Sequence, residues 1–139
     1  GAEAGMVCAG ASAGNLLMAA SVLTGTDDAK IEQLPDTKGM KNDEAVAFIG
    51  KLRDAAAKER SSLNIGAAMV RDNDDPAGAS LVVDILSKVS VNANLITADE
   101  QGIHWNAARQ AAKVIKQLSE RTPHGDANFN FGAIAKLPD

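Results

Sequence analysis

Residues 51–88 read KLRDAAAKERSSLNIGAAMV, then RDNDDPAG, then ASLVVDILSK: one acidic, proline-containing turn between two apolar-patterned segments. Val46, Ile49, Leu52, Ala56, Leu63, Ala67 and Val70 recur at steps of three, four or seven. That spacing predicts a single apolar face on a long helix over 43–70. Asn42 suits its N-cap, and Asp43 and Glu44 complement the positive helix N-terminus. Gly66 weakens it locally. The turn at 71–78 ends it, and Pro76 is suited to the first position of a following helix.

A second helix is expected from about Ala79, with Val82, Ile85, Leu86, Val89 and Ile96 inward and a frayed stretch at 91–94. Leu81, Val82 and Val83 would also suit a strand. Thr97 or Asp99 would cap a third helix carrying Ile103, Ala107, Ala111, Val114, Ile115 and Leu118. Thr122-Pro123 ends it, because proline removes a helical donor and clashes with the preceding turn. Short turns between helices imply an all-α, antiparallel up-and-down, four-helix-like bundle over 43–122. A small-residue segment and linker over 1–42 precedes it, and an irregular tail over 123–139 follows.

At 139 residues the chain suits one domain. Its net charge of −4, with both signs mixed, lacks the basic stripe of a nucleic-acid binder. Aromatic residues are few, and tyrosine is absent. Cys8 is the lone cysteine, so no internal disulfide forms and a cysteine-rich zinc site is excluded. Residues 4–26 carry no charge and approach the ~20 residues of a membrane span. Asn15, Ser12 and Ser21 dilute that segment, while Gly10 and Gly14 permit close helix contact. A targeting remnant, or an arm packed on a partner or a membrane, is the expectation.

Gly10-Ala11-Ser12-Ala13-Gly14 matches G-x-S-x-G, and its surroundings resemble the serine neighbourhood of patatin-like and α/β-hydrolase lipases. Such an elbow needs a strand before it, a helix after it and a glycine loop for the oxyanion hole. No room exists upstream for that loop, and the downstream Asp-Gly-Gly/Ala triplet of patatins does not occur. Asp72-Asn73-Asp74-Asp75 fails as a calcium loop, since the sixth position is Ala77 and the twelfth Val83. It reads as a solvated turn. His104 and His124 form no H-x-x-x-H or H-E-x-x-H pair. His104, beside Trp105 near a helix start, reads as structural. Arg53, Lys58 and Arg60 interleave with Asp54 and Glu59 as a solvated helix face.

The helix pair resembles the extrinsic PsbQ-type subunits of photosystem II. The matching residues are Leu52-Arg53, Ala56, Arg60, Leu63-Asn64, Ala68, Asp75, Ser80-Leu81 and Lys88. Ala107, Ala111, Val114-Ile115 and Leu118 continue the pattern, so about half the chain, 50–121, is covered. The absent tyrosine, the tail and the uncharged 4–26 segment depart from it. The resemblance implies a non-catalytic, cofactor-free structural subunit in the thylakoid lumen. It would dock on protein subunits of the photosystem and stabilise the oxygen-evolving centre. Phe129, Phe131, Ile134 and Leu137 would then form a partner-binding arm, removable without unfolding the bundle. A serine hydrolase using Ser12, and a helical scaffold or small-ligand carrier, are the alternatives.

Overall fold

Leu63, Ile65 and Ala67 lie at alternate positions, and the chain there is a strand, not a continued helix. The computed structural model describes residues 7–8, 41–58 and 62–136. In chain order these form β1 (Val7–Cys8), α1 (Asn42–Lys58), β2 (Leu63–Ala67), α2 (Ala77–Leu86), β3 (Asn92–Asp99) and β4 (Gly102–Ile103). Then come α3 (Trp105–Arg121), a 3-10 segment (Pro123–Asn130) and β5 (Phe131–Ala135). The fold is therefore α/β, which overturns the all-α bundle. Residues 63–70 leave the expected first helix, and Ile96 sits in a strand. The third helix starts after His104 rather than at Thr97 or Asp99, and 123–139 contains ordered structure.

Strands β1, β2, β3 and β5 are parallel, with β3 between β2 and β5. Asn64 faces Asn92, while Ala93 to Ile96 face Phe131 to Ile134. β4 returns antiparallel on the end of β3. Parallel neighbours need crossovers, and the helices supply them. Helices α1 and α2 pack together, as do α2 and α3, and their apolar residues share one core with the sheet. Ile49, Leu52 and Ala56 from α1 meet Val82, Ile85 and Leu86 from α2 and Ala107, Val114 and Leu118 from α3. Leu63, Ile65, Ala93 and Leu95 complete that core from the strands.

The helix ends depart from the sequence reading. Asn42 does not cap α1: its side-chain amide donates to Asp84 Oδ2 at 2.7 Å. Arg121 donates to the other oxygen of Asp84 at 2.7 Å, so one carboxylate in α2 ties all three helices. Burial pushes the Asp84 carboxyl up, but the bonds from Arg121 and Asn42 prevail and hold it below the ordinary value. Pro76 does sit at the start of α2, where Asp75 Oδ1 accepts the Ala77 amide at 2.9 Å. Val70, Ile103 and Ile115, expected inward, are exposed. Gly78 lets α2 approach the chain beyond β2: a Cβ there would lie 2.7 Å from the Ala68 carbonyl oxygen.

Candidate functional site

Parallel strands deliver all their following loops to one edge of the sheet. The segments after β2, β3 and β5 meet there around a cleft of about 440 Å³. Its ionisable lining is Arg71, Asp72, Asp99, His104 and Lys136.

The loop after β2 is braced by its own acids. Asp74 Oδ2 accepts the amides of Val70 and Arg71, each at 2.8 Å. Asp72 reaches across to α3, where Oδ1 accepts the amides of Asn106 at 2.6 Å and Ala107 at 3.2 Å. Its Oδ2 accepts the Asn106 side-chain amide at 3.2 Å. His104, at the N-cap position of α3, makes no side-chain cap bond, so Asp72 satisfies donors that the helix leaves open. The acidic run is thus bonded scaffolding rather than a merely solvated turn.

On the opposite wall, His104 is buried and braces the β3–β4 turn. Its backbone amide donates to Thr97 O at 2.8 Å. Its Nδ1 lies 3.2 Å from Ile96 O, and its Nε2 lies 3.0 Å from Asp99 Oδ2. A carbonyl and a carboxylate only accept, so both contacts are hydrogen bonds at once only for the doubly protonated ring. Asp99 Oδ1 accepts the Gln101 amide at 2.8 Å. That amide is the largest influence on the Asp99 carboxyl; burial, next in size, opposes it, and the hydrogen bond and charge of His104 with the charge of Lys136 leave the carboxyl below its ordinary value.

A carboxyl whose folded value is depressed contributes stability above its unfolded value and loses it as the pH falls through the folded one. Wild type is therefore expected to exceed Asp99→Asn in melting temperature at pH 6. The gap should narrow progressively once the pH drops below about 4. Melting curves of both chains from neutral to acid pH check this. A gap that stays constant into strong acid would remove Asp99 ionisation from the stability of the turn.

Arg71 and Lys136 were not singled out by the sequence. The signal available was position: each lies just beyond the end of a core strand. Asp99, expected as a helix cap, instead pairs with His104. Of the arm residues, Phe131 packs against the core, Phe129 is 92% exposed and Ile134 is on the surface. Leu137 lies outside the described residues, as does Ser12. β1 is a parallel strand shortly before the Ser12 motif. Among the described residues no acidic, histidine or cysteine group is arranged to hold a metal ion. No described helix is long and apolar enough to cross a membrane. Comparison with known protein families, curated proteins and solved structures finds no match to this chain.

Proposed function

We propose that this chain is a small-molecule-binding α/β domain whose ligand sits in the cleft at the carboxyl ends of β2, β3 and β5. The supporting observation is the braced cleft itself. Its volume of about 440 Å³ falls within the roughly 300–1,000 Å³ of small-molecule sites. Three independent chain segments line it, and internal hydrogen bonds hold two of them before any ligand arrives. Pre-ordered walls lower the cost of binding, because less freedom remains to be lost. This is the small-ligand alternative of the sequence reading, placed at a sheet edge. The PsbQ-type docking role depended on four packed helices, and no described geometry favours it here.

Amide chemical shifts of the full chain, recorded against a panel of charged and neutral metabolites, test the proposal. Expected perturbations cluster at 70–73, 99–104 and 136. A panel that leaves these amides still, or that shifts a different surface, would overturn it.

A further inference from the structure

We infer that the ligand of this cleft carries a carboxylate or phosphate group, held between Arg71 and Lys136; the inference rests on the cleft being a binding site. Every acidic oxygen lining the cleft already has a protein donor. Asp72 uses both oxygens on the start of α3, and Asp99 uses both on Gln101 and His104. Three backbone amides beside the cleft are taken as well: those of Val70 and Arg71 by Asp74, and that of Gln101 by Asp99.

The side chains of Arg71 and Lys136 are in the opposite condition. Both line the cleft, and among the described residues neither makes a hydrogen bond or an ion pair. Arginine offers five N–H donors in a planar fork and lysine three, with no acceptor on either. Among the charged groups of the cleft, the unused chemistry is cationic donation, and its complement is an oxyanion. Asp72 and Asp99 keep their charges, but their oxygens are engaged by protein donors, while the donors of Arg71 and Lys136 are not. Whole-molecule attraction is not the source of selectivity, because the chain is net negative at −4. The attraction is local, and planar guanidinium geometry suits two-oxygen recognition of carboxylate or phosphate.

The full chain is titrated with inorganic phosphate, with succinate and with uncharged glycerol, and the amides at 70–73, 99–104 and 136 are followed. Phosphate or succinate is expected to bind, and the tighter of the two names the head group. Glycerol is expected to leave the amides unmoved. Arg71→Gln and Lys136→Gln should each weaken the anion about ten-fold, the loss typical of one charge-assisted contact. Lys113→Gln, on the exposed side of α3, should change nothing. Equal weakening by Lys113→Gln, or none by the two cleft substitutions, would overturn the inference. Neutral compounds that shift the cleft amides while both anions fail would overturn it too, yet leave the binding cleft standing. Silence from every compound would overturn both.

Discussion

Removal of residues 123–139 is expected to abolish cooperative folding. β5 spans the free edge of β3, with five register pairs from Ala93↔Phe131 to Ala98↔Ala135. The Lys136 amide continues the ladder to Ala98 O at 2.8 Å. Ala127 is buried and Phe131 packs on the core, so the segment carries apolar contacts as well as backbone bonds. At ~0.5–1.5 kcal/mol for each ladder bond, losing the strand costs several kcal/mol before any packing is counted. The whole stability of a domain is only about 5–15 kcal/mol. Far-UV circular dichroism melts of the full and shortened chains decide the matter. A shortened chain that melts cooperatively near the full-length temperature would restore the detachable arm expected from sequence.

Leu95→Ala is expected to cost about 2–5 kcal/mol, the range for deleting a buried leucine side chain. Leu95 is fully buried at 0% exposure, on the central strand between β2 and β5. Strands on both edges and helices over its face leave the cavity little room to collapse. Ile96→Ala, one residue on and pointing to the other face, should cost clearly less, since Ile96 is half-buried. Urea denaturation midpoints of the two variants separate the cases. Equal losses would mean that the helix-covered face of β3 has been misassigned.

Burial was far more legible in the sequence than element type. Ile49, Leu52, Leu63, Ile85, Leu86, Val89, Val114 and Leu118, expected to be inward, are all buried. Hydrophobicity alone places such residues inside whatever backbone carries them. Leu63 shows the difference: it is 1% exposed, but in β2 rather than on a helix face. Leu63, Ala67 and Val70 fit steps of four and three, while Leu63, Ile65 and Ala67 fit steps of two. A short apolar run satisfies both periods. At 91–97 the alternation of Val91, Ala93, Leu95 and Thr97 was a strand signal, masked by a helical reading carried on from Val89 to Ile96.

Tertiary structure settled the rest, because parallel sheets are held by partners distant in the chain. β2 is a strand because β1 and β3 lie beside it, and neither is adjacent to it in sequence. The cleft shares that origin. Asp72 meets Asn106 across 34 residues, and Arg71 and Lys136 face one space only because β2 and β5 flank β3 in the same direction. The sequence by itself determined most of what is buried, where the helical segment over 105–121 stops and that no disulfide forms between these residues. Which apolar runs became strands, and which charged residues came to share a cleft, was decided by non-local backbone pairing, which leaves no periodic mark on either segment alone.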